Sequence, residues 1–345
     1  MNIVKLLLWP FSFIYSLALR LRHWSYDSGF FASTTFKTPT ICVGNLSLGG
    51  TGKTPMIELL LRYFNTQQKD PSNYCIAVLS RGYGRKSKGV VEASSLSTVE
   101  DLGDEPYQIA QSFPANRVVV SSSRVAGMTY LEQSDLGQNL GLVLLDDAFQ
   151  HRAISPSLSI LLTSFHRPFP ADDLLPLGTL RDLPSRASSA DLIVVTKCPL
   201  TLSNDQRVEL INRISPSANQ QLFFSYLSYE EKWPGLKKVL QIQDCIGEQI
   251  TLVTAIANPE PLLTYLNANG IDVLHKKYVD HHFFTSKEIE ELATIPKIIC
   301  TEKDFVKLKD SLENLYYIPV EHHFFKEDQI GFYQAISTLQ VSKSI

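Results

Sequence analysis

Short unbroken apolar runs alternate along this chain with segments whose apolar residues recur at helical spacing. Residues 39–43 (PTICV), 75–80 (CIAVLS), 117–120, 141–145 (GLVLL), 158–163 and 191–196 (DLIVVT) are such runs. Continuous hydrophobicity of that length marks strands covered on both faces. Residues 55–64 (PMIELLLRYF) carry the helical period, with Pro55 in the first turn, where a missing N–H costs nothing. Strands alternating with helices predict a parallel α/β sheet. Residues 121–139 are polar and helical only in parts.

Beyond about residue 199 the same alternation restarts. The pattern predicts helices over 206–214 and 260–267, and strands over 223–229, 249–257, 297–300 and 316–319. No second glycine-rich loop occurs in this part, which suits a substrate domain better than a second nucleotide site. The first 26 residues stand apart: they are apolar, with Lys5, Arg20 and Arg22 as their charges and no acid. Lys5 and Pro10 interrupt a run already short of the about 20 apolar residues that a spanning helix needs. No small-residue cleavage site follows it. Trp9, Tyr15 and Trp24 suit headgroup depth, so the expectation is an amphipathic helix lying on a membrane surface.

Length and charge narrow the field. A chain of 345 residues has room for two cores, and a net charge of -3 leaves no basic surplus for nucleic acid. The organisation expected is a membrane-associated segment at 1–26, a nucleotide-binding domain at 27–205 and an α/β domain at 206–345. Its five cysteines are scattered without zinc-finger or redox spacing, and Cys42 and Cys300 fall in strand-like runs. Buried reduced thiols are expected.

Candidate chemistry begins where the first strand ends. SLGGTGKT, comprising Ser47, Leu48, Gly49, Gly50, Thr51, Gly52, Lys53 and Thr54, lies between a strand and a helix. That is the setting of a phosphate loop. Backbone N–H groups at the helix N-terminus favour phosphate, Lys53 reaches the β/γ-phosphates of ATP, and the Thr54 hydroxyl ligates Mg²⁺. Ser47 stands where the usual pattern has glycine. Further on, GLVLLDD places Asp146 and Asp147 at a strand's carboxyl end, where such enzymes hold Mg²⁺, and either could be the ligand.

Seven motifs in order then resemble the tetraacyldisaccharide 4′-kinases of lipid A biosynthesis. They are VGNLSLGGTGKTP (43–55), SRGYGR (80–85), GDEP (103–106), DDAFQHR (146–152), LLPLGTLRD (174–182), DHHFF (280–284) and TEKD (301–304). Serine at position 47 is normal in that family, whereas AIANP (255–259) replaces glycines that relatives carry. The resemblance implies a P-loop NTPase-like α/β/α sandwich, a second, smaller α/β domain and a hydrophobic N-terminal helix at the cytoplasmic face of the inner membrane. It implies transfer of the γ-phosphoryl group of ATP to the 4′-hydroxyl of a lipid disaccharide; no protein partner is inferred. It also implies that Asp104 is the catalytic base and that His281 orients and tunes it. The two lie far apart in sequence, so domain closure is expected to pair them.

Two rivals fit the residues less well. A P-loop GTPase would read guanine with Asn-Lys-x-Asp, yet neither TKCP (196–199) nor TEKD has both the Asn and the correctly spaced Asp. A partitioning ATPase has no use for a second domain carrying DHH. His281 and His282 could also be metal ligands, but no cysteine or carboxylate cluster accompanies them in the sequence.

Overall fold

The computed structural model describes residues 3–67, 74–134 and 139–341. Met1, Asn2, residues 68–73, residues 135–138 of the polar segment and the last four residues lie outside the described residues. In chain order the elements begin with α1 (Ile3–Asp27), β1 (Thr40–Asn45), α2 (Lys53–Gln67), β2 (Cys75–Ser80), β3 (Val91–Glu92), α3 (Val99–Leu102) and α4 (Asp104–Ser112). Then come β4 (Arg117–Val120), α5 (Arg124–Gln133), β5 (Leu140–Asp146), β6 (Leu158–Ser164), β7 (Leu192–Thr196), α6 (Asn204–Ile214) and β8 (Gln221–Tyr229). A ribbon of β9 (Lys232–Pro234) and β10 (Val239–Gln241) follows, then β11 (Gln249–Thr254), α7 (Glu260–Ala268), β12 (Asp272–Lys277) and α8 (Ser286–Ala293). The chain closes with β13 (Ile298–Thr301), α9 (Glu302–Leu308), β14 (Leu315–Ile318), β15 (Val320–Phe324) and α10 (Lys326–Val341).

Two compact units share these elements in an interleaved way. The first holds Met1–Arg81, Ala115–Leu227 and His322–Ile345; the second holds Gly82–Pro114 and Ser228–Glu321. Within the first, strands run in the order β15-β8-β7-β6-β1-β5-β2-β4. From β8 to β4 all neighbours are parallel. Strands β1, β5 and β7 are buried at every position. Helix α2 explains half of that cover: Met56, Ile57, Leu60, Leu61 and Phe64 are all fully buried. Each such side chain contributes about 1.5–3 kcal/mol by leaving water. Thiols follow the expectation, with Cys42 and Cys300 buried and no disulfide joining any of the five cysteines.

In the second unit a parallel sheet runs β12-β11-β13-β14. Alternate residues of these strands feed different clusters, as the two-residue period of a strand requires. Ile250, Leu252 and Ile299 pack with Leu262 and Leu266 of α7. Val253, Ile298 and Cys300 pack with Leu292 of α8 and Leu308 of α9. Helix α4 lies on α9: the Lys309 ammonium sits 5.3 Å over the Tyr107 ring and donates to Gln111 at 2.7 Å.

Helix α1 has two characters. Its inward side is bonded to the first unit: Tyr15 Oη donates to the Arg181 carbonyl at 2.8 Å, and Arg22 to the Gln150 carbonyl at 2.7 Å. His23 Nε2 meets Asp182 Oδ1 at 2.6 Å with both side chains buried. Its other side leaves Leu7, Ile14, Leu17 and Leu21 more than half exposed. No described helix is long and apolar enough to cross a membrane.

Candidate active site

Strand β1 delivers the chain into the loop 46–52, and α2 begins at Lys53. Gly49 and Gly52 take left-handed φ values of 99° and 86°. At Gly52 a side chain is excluded twice, by that φ and because its Cβ would lie 2.6 Å from His322 Nε2. Burial pushes the His322 pKa down to about 4, so the ring is neutral, and its Nε2–H donates to the Gly52 carbonyl at 3.1 Å. Met56 N donates to the same oxygen at 3.1 Å. With that carbonyl held twice, the peptide plane cannot flip, and the N–H groups of the turn keep one direction.

Neighbouring elements hold the rest of the loop. Asn45 donates to Thr51 Oγ1 at 2.9 Å, and Thr196 Oγ1 at the end of β7 donates to the Thr51 carbonyl at 2.8 Å. Leu48 N bonds the Thr179 carbonyl, and Arg181 N the Leu46 carbonyl. The motif at 174–182 therefore lies along the phosphate loop as a second strand of chain.

The two acids of β5 differ. Asp146 is 1% exposed and accepts from Ser80 Oγ at 2.8 Å. Arg124, itself buried, donates to the Asp146 carbonyl and the Ser121 carbonyl, tying two strand ends together. Asp147 leaves the strand with φ 46°, a left-handed conformation that a non-glycine residue adopts at a cost. Its side chain is 29% exposed and lies between two cations, Lys53 at 3.7 Å and the bidentate guanidinium of Arg181. Burial opposes its ionisation, but Arg181 and Lys53 outweigh burial and hold the carboxyl below its ordinary range. A hydroxyl at a helix N-terminus (Thr54) and strand-end carboxylates form an all-oxygen donor set. That set fits Mg²⁺, which takes few protein ligands and completes its shell with phosphate and water.

In the second unit, α4 opens on Asp104, which is 4% exposed. Gly103 before it has φ 87°, and a Cβ there would lie 2.6 Å from the Tyr83 carbonyl, so GDEP and RGYGR interlock only with glycine. His281, also left-handed at φ 60°, places Nδ1 3.0 Å from Asp104 Oδ2. Lys307 Nζ lies 2.7 Å from the same oxygen, and Lys303 Nζ lies 3.2 Å from His281 Nε2. An ammonium has only donors, so in the singly protonated ring Nε2 accepts from Lys303 and Nδ1–H donates to Asp104. Burial raises the Asp104 pKa, but the His281 and Lys307 hydrogen bonds and both lysine charges overcome it and leave the carboxyl below its ordinary value. Tyr83 closes the other side, its ring 5.3 Å from that of His281.

The family model for the tetraacyldisaccharide-1-P 4′-kinases, LpxK, matches residues 4–339. The chain belongs to this family. Among curated relatives, it is 40% identical to the tetraacyldisaccharide 4′-kinase of Flavobacterium johnsoniae over 95% of both chains. With the same-named protein of Bacteroides thetaiotaomicron it shares 36% identity, over 95% of this chain and 91% of the other. Its structure is similar to the crystal structure of LpxK from Aquifex aeolicus in complex with ATP, with TM-score 0.74 and 26% identity. That match covers 96% of this chain and 99% of the other. Membership makes this chain a kinase of lipid A biosynthesis.

Against this geometry one expectation changes. Domain closure is not needed to pair Asp104 with His281, because both belong to the second unit and already share a hydrogen bond. The reason is that α4 folds onto α9 rather than onto the strands that flank it in sequence. Asp104 itself is the buried first residue of a helix. His282 is structural: it packs on Tyr278 and pairs with Glu288, the acid of the box that caps α8. Among the described residues neither histidine joins a cluster able to hold a metal. The AIANP turn is held by Asp304, whose carboxylate accepts from Ala255 N at 3.0 Å and from the hydroxyl of Thr301, the N-cap of α9, at 2.7 Å. Arg181, Lys303 and Lys307 were not assigned a role from sequence. Arg181 and Lys303 sit inside quoted motifs, and Lys307 is four residues beyond Lys303, on the same face of α9.

Proposed function

We propose that this kinase transfers the γ-phosphoryl group of ATP to the 4′-hydroxyl of a tetraacyldisaccharide 1-phosphate, with Asp104 as the base. The observation that carries the reading is the buried Asp104 carboxylate bonded to His281, with the ring tautomer set by Lys303, in a chain that also holds a fully braced phosphate loop. Phosphoryl transfer passes through a loose transition state, so the acceptor's base has more to orient than to abstract. A carboxylate kept ionised by Lys307 suits that duty: it accepts the hydroxyl hydrogen bond and takes the proton late. Asp147, Asp146 and Thr54 would hold Mg²⁺, which supplies neutralisation of phosphate charge when bound. Lys53 carries the same duty from the protein side. The test is nucleotide turnover with and without acceptor. ADP formation is expected to require the lipid; equal turnover in its absence would point to a hydrolase.

Three further outcomes follow from the geometry. Asp147→Asn should lose about tenfold to hundredfold in activity at limiting Mg²⁺, the worth of one charge-assisted contact, and recover partly as Mg²⁺ rises. Asp146→Asn should depend less on Mg²⁺, since its carboxylate faces Ser80 inside the sheet. A Mg²⁺ titration that ranks them the other way would reassign the ligand.

Lys307→Met should move the acid limb of the pH–rate profile upward. Burial raises the Asp104 pKa and Lys307 helps to lower it, so removing the ammonium lets the carboxyl protonate at higher pH. An unmoved limb would mean that Asp104 does not govern it.

The exposed side of α1 is proposed to rest on the cytoplasmic face of the inner membrane. Deleting the helix would also remove the Tyr15 and Arg22 bonds to Arg181 and Gln150. Replacing Leu7, Ile14 and Leu21 together by Gln is the cleaner test, as all three are more than half exposed at a seven-residue spacing. Flotation with anionic vesicles should fall and KM for micellar lipid should rise, while turnover on a short-chain acceptor stays. Unchanged flotation would refute the anchoring.

A further inference from the structure

TKCP, rejected as a guanine reader, still ends a strand beside the phosphate loop. Thr196 closes β7 and holds the Thr51 carbonyl. Lys197 follows with φ 59°, the left-handed conformation that Asp147 and His281 also adopt. Its ammonium lies at the crest of the loop: a Cβ built on Gly50 would lie 3.9 Å from Lys197 Nζ, with no other atom beyond Gly50 and its two chain neighbours within 4 Å. Among the described residues no carboxylate pairs with it. Burial alone lowers its pKa, the mark of a cation drawn partly out of water without an anion to compensate it.

Sheet order tells which end of a nucleotide would meet this cation. Strand β1 leads into the loop, β5 lies on one side of β1, and β6 then β7 lie on the other. Asp147 and Lys53 therefore mark the γ-phosphate end on the β5 side, and Lys197 stands on the β7 side. We propose that Lys197 is a nucleotide-binding residue whose ammonium contacts the α-phosphate and ribose end of ATP lying along the loop. The contact is made alike by substrate and product nucleotide, so it acts on binding and not on the transfer step.

The inference rests on the phosphate loop being the ATP site, and the experiment separates the two. ATP and ADP binding to the full-length protein are measured by calorimetry for wild type, Lys197→Gln, Lys197→Arg and Lys53→Ala, with melting temperatures and kinetics alongside. Lys197→Gln should weaken ATP and ADP by the same factor, about tenfold to hundredfold, as expected for one charge-assisted hydrogen bond. KM for ATP should rise while kcat at saturating ATP holds, and Lys197→Arg should keep most of the affinity. Wild-type binding by Lys197→Gln, or a loss confined to ATP, would overturn the assignment. So would equal losses in the Gln and Arg variants with a lowered melting temperature, which would mark a brace for the loop. If Lys53→Ala also bound and turned over ATP as wild type does, the loop itself would be the wrong site.

Discussion

Asp104→Ala should lower kcat by about a hundredfold to ten-thousandfold, the usual worth of a positioned base, while ATP binding stays near wild type. His281→Ala should cost less, because the ring orients and tunes the carboxylate without taking the proton. If the pair acts as a unit, the double variant is little worse than Asp104→Ala alone. One control is required by the packing. Lys307 is almost fully buried against Asp104, and removing the acid leaves an unpaired cation inside the protein. Asp104→Asn keeps an acceptor for that ammonium and separates lost chemistry from lost stability. Fully additive losses in stably folded variants would count against the pair.

The second large effect belongs to Lys53. Lys53→Ala should cost about a hundredfold to a thousandfold in turnover at saturating ATP, the typical loss for a group placed where charge develops. The Asp147 carboxylate would still be held by Arg181, so the strand end should keep its shape and the loss should fall on transfer. Near wild-type turnover in this variant would remove the phosphate loop from the reaction.

Much of the first unit was legible because its strands are buried on both faces and read as unbroken apolar runs. Predicted strands at 75–80 and 117–120 match β2 and β4 to the residue. Helices α4 and α9 were missed because each is short: α4 opens on two acids and a proline, and α9 mixes acids and lysines with its apolar positions. That miss hid how Asp104 meets His281 without domain closure, since the packing of α4 on α9 brings a residue of the first third beside Lys303 and Lys307. Asp104 and His281 themselves were available only through the family resemblance; nothing in the pattern around GDEP or DHH sets their roles. Asp146 and Asp147 could not be separated in sequence because adjacent strand-end residues differ only in which face they take. The structure separates them by burial: one faces Ser80 in the sheet, the other Lys53 and Arg181. His322 shows the limit most plainly, since no local signal ties a histidine on β15 to a glycine 270 residues earlier.

The most direct test of the account follows the phosphate itself. The purified protein is incubated with γ-labelled ATP and a tetraacyldisaccharide 1-phosphate in detergent micelles, and the lipid product is separated and its phosphate position determined. The account predicts label in a lipid bisphosphate at the 4′-position, formed by wild type and lost in Asp104→Asn. Label released as inorganic phosphate, or label on the lipid that persists undiminished without the Asp104 carboxylate, would contradict it.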